Sequence, residues 1–133
     1  MTTETQLAPT SKMMLWTGRV ISAVPILMMG GLGTYFLFAA TDKVAQDMAK
    51  FGYPAHVARP LLIFEISCAV LYLIPQTAVL GAILLTAYLG GAVATHVRAS
   101  EQQFWFPIAM GALVWLGLFL RDARIRKLVP FRF

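Results

Sequence analysis

From Val20 to Thr41 the chain carries no charged residue over 22 positions. Wound as an α-helix, that run is about 33 Å long, enough to cross the hydrocarbon core of a bilayer. Three more apolar runs follow it: Pro60 to Pro75, broken only by Glu65; Ala78 to Val97, with no charge until His96; and Phe104 to Leu120. A soluble domain of 133 residues could not bury four such helices, because small domains keep much of their surface in water. Composition agrees: 59% of residues are hydrophobic and 13% charged, against about half and about a quarter in soluble domains. The expectation is an all-α polytopic membrane protein with four transmembrane helices in a compact bundle.

The first run is too long for a signal-peptide core and lacks a small-x-small cleavage pattern, so it reads as a retained span. Pro25 should kink it, and Gly30, Gly31 and Gly33 permit close helix contact. Asp42 to Arg59 forms a polar connection with Phe51-Gly52-Tyr53-Pro54 as its turn. Within it, Lys43, Gln46, Asp47 and Lys50 are spaced like the exposed side of a short interfacial helix. Pro60 suits the first turn of the second span and Pro75 ends it, leaving a tight hairpin into the third. Arg98 to Gln103 makes another short turn, and Phe104, Trp105 and Phe106 anchor the fourth span at the interface. The chain therefore divides into a polar tail (1–19), a four-helix domain (20–120) and a basic, amphipathic cytoplasmic tail (121–133).

An even number of spans puts both termini on one side. Lys12, Arg19, Arg121, Arg124, Arg126, Lys127 and Arg132 fall on that side, against Lys43, Lys50, Arg59 and Arg98 on the other. The positive-inside bias places the termini in the cytoplasm. The net charge of +5 is thereby accounted for by topology. Basic residues flank apolar runs and form no aromatic-interleaved stripe, which argues against nucleic acid as a partner and leaves the lipid bilayer.

Glu65 is the residue that needs an explanation, since a carboxyl at that depth costs a few kcal/mol unless it is paired or protonated. Leu61, Glu65, Cys68 and Tyr72 form one stripe on the second span; Tyr88, Ala92, Thr95 and His96 share a face of the third. Glu65 thus points inward, within reach of His96 or of Lys43 at the mouth of the bundle. Glu65, His96 and Lys43 are the candidate polar site for a ligand, with Tyr88 and Tyr72 lining it. The bland alternative is a polar clamp that fixes helix packing. His56, beside a proline loop, reads as a surface residue. No spacing motif joins the two histidines, so haem is not expected. Cys68, the lone cysteine, excludes an intrachain disulfide, a CxxC pair and a thiolate metal site, and no metal is expected. No phosphate loop, HExxH or nucleophile elbow is present.

The order Lys43, FGYP at 51–54, Glu65, LIP at 73–75 and AVLGAILLTAYLGGAVATHV at 78–97 resembles the DoxX-like membrane proteins, over about residues 20 to 120. The resemblance implies a four-helix protein of the bacterial inner membrane. It also implies a link to quinone-dependent or redox-defence assemblies, in which relatives act as membrane subunits or partners. Glu65, His96 and Lys43 match polar positions of that pattern. Family membership alone transfers no activity. The function expected is binding of a hydrophobic small molecule, a quinone among the candidates, or service as the membrane subunit of a redox assembly with a soluble redox partner. The competing expectation is a non-catalytic scaffold that docks a soluble partner through its basic tail. A transporter is less favoured, because four helices leave little room for a pore unless the chain forms a homo-oligomer.

Overall fold

The computed structural model describes residues 10–128, so the outermost parts of the expected tails, including Arg132, lie outside the described residues. Helix α1 (Lys12–Pro25) begins eight residues ahead of the charge-free run, capped by Ser11, whose hydroxyl accepts from the Met14 N–H at 3.2 Å. Much of the expected polar N-terminal tail is therefore helix. Pro25 ends α1, and the chain continues through a π-helical segment, Ile26–Gly31, into α2 (Leu32–Ala39). Proline lacks an N–H and its ring crowds the carbonyl four residues back, which disturbs the last turn of α1 just ahead of the wider segment. Thr34 Oγ1 donates to the Gly30 carbonyl at 2.7 Å just past this segment.

Ala40 breaks the helix with φ −149° and ψ 35°, and Thr41 Oγ1 donates to the Leu37 carbonyl at 2.7 Å. The short α3 (Thr41–Ala49) follows, with Lys43, Gln46, Asp47 and Lys50 exposed. Gly52 closes it at φ +87°, where glycine alone is unstrained. Helix α4 (Ala58–Leu73) and α5 (Ala78–Arg98) form a tight antiparallel hairpin. Thr77 Oγ1 donates back to the Leu71 carbonyl at 2.7 Å, which satisfies one open carbonyl at the end of α4. Helix α6 (Trp105–Arg121) and a short α7 (Ala123–Leu128) complete the chain.

Four helical stretches, Lys12–Ala39, Ala55–Leu73, Ala78–Arg98 and Gln102–Arg121, are long and apolar enough to cross a membrane. Their outer faces carry Leu27, Phe38, Ile63, Leu80, Ile83 and Ile108, all about half exposed or more. Such a continuous apolar surface suits lipid, not water. The inner contacts rest on small residues. A Cβ on Gly81 would strike the backbone of Tyr72, and one on Gly117 would strike Ser22 Oγ. A Cβ on Gly18 would lie 2.9 Å from the Gly117 carbonyl. Backbones at these crossings touch directly, as membrane helices do where dispersion and weak hydrogen bonds replace a hydrophobic drive.

The first span changes partner along its length. Helix α1 packs along α6, whereas the π segment and α2 pack on α4. Helix α2 makes no comparable contact with α6. The bundle is therefore tight at the end that bears the termini and splayed at the other.

The tight end has a polar lock. Tyr72, fully buried, donates to the Val114 carbonyl at 2.7 Å, and Ser22 Oγ lies 3.0 Å from the same phenol oxygen. Since the phenol proton goes to Val114, Ser22 is the donor in that second bond. Arg121 donates to the Tyr72 carbonyl at 3.1 Å and lies 4.7 Å from the centre of the Tyr72 ring. Arg126 donates to the Phe119 and Leu120 carbonyls at 2.9 Å, and to Thr10 Oγ1 at 2.8 Å. These two cations of the basic tail thus cap the C-terminal ends of α4 and α6, where carbonyls are unpaired and the helix dipole is negative. Arg124 pairs with Asp122 at 3.3 Å. Partial burial pushes the Asp122 carboxyl up, but hydrogen bonds and charge from Arg124, with Arg121 nearby, outweigh it and hold the group below its ordinary value.

Candidate functional site

At the splayed end, the divergence of α2 from α6 opens a cavity of about 690 Å³. Its walls come from the π segment and α2 on one side, α4 and α5 behind, α6 opposite, and α3 with the Phe51–Tyr53 turn above. The size falls in the range of small-molecule sites. The lining is apolar and aromatic apart from Glu65, Tyr53, Tyr88, Thr95 and His96.

Glu65 sits half-buried on α4, opposite Gly33 of α2. A Cβ on Gly33 would contact Ile66 at 3.3 Å and approach the Glu65 carboxyl carbon at 3.8 Å, so the missing side chain makes space for the acid. Tyr88 of α5 donates its hydroxyl proton to Glu65 Oε2 at 3.0 Å. Among the described residues no donor reaches Oε1, and protein does not fully bury it. Phe64, one residue before the acid, packs on the Tyr88 ring at 6.2 Å and holds it in place.

The neighbouring polar groups satisfy one another. Tyr53 Oη lies 2.8 Å from Thr95 Oγ1. The Thr95 proton is committed to the Gly91 carbonyl at 2.9 Å, so Tyr53 donates. His96 Nδ1 lies 3.1 Å from Glu101 Oε2, beyond the end of α5, and Phe51 meets the imidazole edge-on at 5.2 Å. The histidine and its carboxylate form a pair at the cavity rim.

Of the residues singled out in the sequence, Glu65, Tyr88 and His96 line this one cavity. Neither expected partner of the acid is bonded to it: its hydrogen bond comes from Tyr88, and His96 turns to Glu101. Lys43 is exposed on α3, outside the lining. Tyr72 belongs to the lock at the other end, with Ser22 and Val114. It shares a stripe with Glu65 but lies seven residues further along, about 10 Å down the helix axis. The sequence reading missed Phe36, Phe51, Tyr53 and Phe106, which also line the cavity. The FGYP turn and the aromatic anchor at 104–106 were visible as a turn and an anchor, not as walls. No cluster of histidine, cysteine or carboxylate side chains able to hold a metal ion occurs among the described residues.

The family model of the DoxX-like family matches residues 20–117. No curated protein and no solved structure gives a significant match. The matched stretch contains the apolar helices of the bundle nearly whole, together with Glu65, Tyr88 and His96. With four helices able to cross a bilayer and a family model matched over most of its length, the chain is a multi-pass membrane protein that belongs to the DoxX-like family.

Proposed function

We propose that the chain binds a hydrophobic or amphipathic small molecule in the cavity between α2 and α6, with the molecule's polar end at Glu65. The observation that carries this reading is the Glu65 carboxyl itself. One of its oxygens accepts from Tyr88, no donor among the described residues reaches the other, and the residue lines an apolar, aromatic space of about 690 Å³. A clamp would be expected to satisfy both oxygens within the bundle, as the Tyr72 lock satisfies its phenol. An acid with one open oxygen suits a ligand that brings a proton donor. The ligand reaches the cavity from the bilayer, through the gap left where α2 parts from α6.

A reduced quinone is one class that fits: its ring suits the aromatic walls and its hydroxyl can donate to Glu65 Oε1. In a redox assembly the chain would be the subunit that holds such a molecule in the membrane. With the termini in the cytoplasm of a bacterial inner membrane, the cavity lies in the outer half of the bilayer. The scaffold reading is weaker, because Arg121 and Arg126, two of the cations it needs for docking, are turned inward onto helix ends.

The test is mass spectrometry of lipid extracts from protein purified in mild detergent, comparing wild type with Ala92→Trp. Ala92 lines the cavity beside Tyr88 and His96, and an indole there intrudes on the polar end of the space. A hydrophobic molecule present in near-stoichiometric amount in wild type and lost in Ala92→Trp is expected. Equal content in the two proteins, with both still folded, would refute the reading.

A further inference from the structure

We infer that the cavity selects by charge: it takes a lipophilic cation or protonated amine in preference to a neutral molecule, and rejects a lipophilic anion. This rests on the reading that the cavity holds a ligand, and adds to it the ligand's chemical class.

Three observations point the same way. First, Glu65 lines the cavity with Oε1 unbonded, and among the described residues no lysine or arginine side chain lines the space to counter it. Arg98, the nearest cation of the α5 end by sequence, donates to the Phe51 carbonyl at 2.8 Å and stays outside the lining. His96 is paired with Glu101, so even when protonated it brings a carboxylate with it. Second, six aromatic rings line the cavity: Phe36, Phe51, Tyr53, Phe64, Tyr88 and Phe106. Ring faces are electron-rich and attract cations, most strongly where water is excluded. Third, Met29, Met48 and Met110 supply flexible, polarisable walls that adapt to bulky apolar groups without a fixed shape. A carboxyl in a low-dielectric space, lined by aromatic rings and by no lysine or arginine among the described residues, is complementary to positive charge carried on an apolar body. For an anion the first two of these terms are unfavourable, and the methionine walls are indifferent to sign.

The test uses the full-length protein in a neutral detergent and three probes. They are the neutral dye N-phenyl-1-naphthylamine, the cation tetraphenylphosphonium and the anion tetraphenylborate, which has nearly the cation's shape. Dye fluorescence should rise on binding, and tetraphenylphosphonium should displace it while tetraphenylborate should not. In Glu65→Gln the cation's affinity should fall about tenfold, a larger loss than the dye's. Dye binding combined with equal displacement by cation and anion, or with cation affinity indifferent to Glu65→Gln, overturns the charge preference and leaves the cavity reading standing. Failure of the dye to bind wild type overturns both. The displacement comparison needs no variant, so the inference stays testable even if Glu65→Gln folds poorly.

Discussion

Tyr88 and Glu65 meet across the α4–α5 interface, phenol to carboxyl, at 3.0 Å. The histidine that shares the tyrosine's helix face is bonded elsewhere, to Glu101 at 3.1 Å. That division separates an intramembrane polar pair from a rim pair and determines which mutations should couple.

Tyr88→Phe leaves Glu65 Oε2 without its donor, which should cost about 1–3 kcal/mol. Glu65→Gln keeps the volume and an acceptor, and should cost about 1 kcal/mol. In a double-mutant cycle read by detergent melting, Glu65→Gln and Tyr88→Phe should be non-additive, whereas Glu65→Gln and His96→Gln should add. Coupling to His96 equal to that with Tyr88 would contradict the observed pairing.

Gly81→Ala and Gly117→Ala put a methyl group against the backbone of Tyr72 and against Ser22. Helices there cannot move apart without opening the lock, so each substitution should cost about 1–3 kcal/mol. Gly90→Ala, where open space surrounds the glycine, should be neutral or slightly stabilising in the same melting assay.

The tail cations should separate by role. Arg121→Met removes a cap on α4 and a cation over the Tyr72 ring, and should lower stability by about 1–2 kcal/mol. Arg124→Ala removes a pair in which the arginine is exposed but Asp122 is half-buried, and should cost about 0.5–1 kcal/mol. Equal effects would mean that these arginines act through the lipid surface and not through helix ends.

Asp122 provides the pH dependence. Its carboxyl is held below its ordinary value of 3.8. Its contribution to stability is therefore fully present above that value and is lost as pH falls through the lowered folded value. Asp122→Asn should melt below wild type at neutral pH, and the gap should close as the pH is taken below 3.8. A gap that widens in acid would reverse the assignment.

Fusions of a reporter at residue 133 should be cytoplasmic, and one in the loop after Lys50 should lie outside. The opposite result would invert the membrane side assigned to the cavity.

The four spans, their turns and the inward direction of Glu65 were legible in the sequence because each rests on local pattern: charge-free length, proline and glycine punctuation, and a four-residue face. Depth and partnership were not. Tyr72 lies on the stripe of Glu65, yet a stripe says nothing of which end of a bundle a residue serves. The partner of Glu65 depends on how α5 is rotated against α4, which the close approach of Gly81 to Tyr72 sets from the far end of the hairpin. Pro25 signalled a disturbance, but not that the next turn would be π-helical and redirect the span from α6 to α4. The basic tail showed its charge, while its use as a set of helix caps depends on carbonyls that only the folded bundle exposes.

The partner change at Ile26–Gly31 has a mechanical consequence. A continuous helix anchored along one neighbour transmits a push or twist from end to end, like a piston. Here the first half of the span is fastened to α6 and the second half to α4, with a wider and weaker hydrogen-bond ladder between them. A displacement of α2 at the cavity would have to pass through that joint before it reached α1 and the contact of α1 with α6, and its direct load would fall on α4.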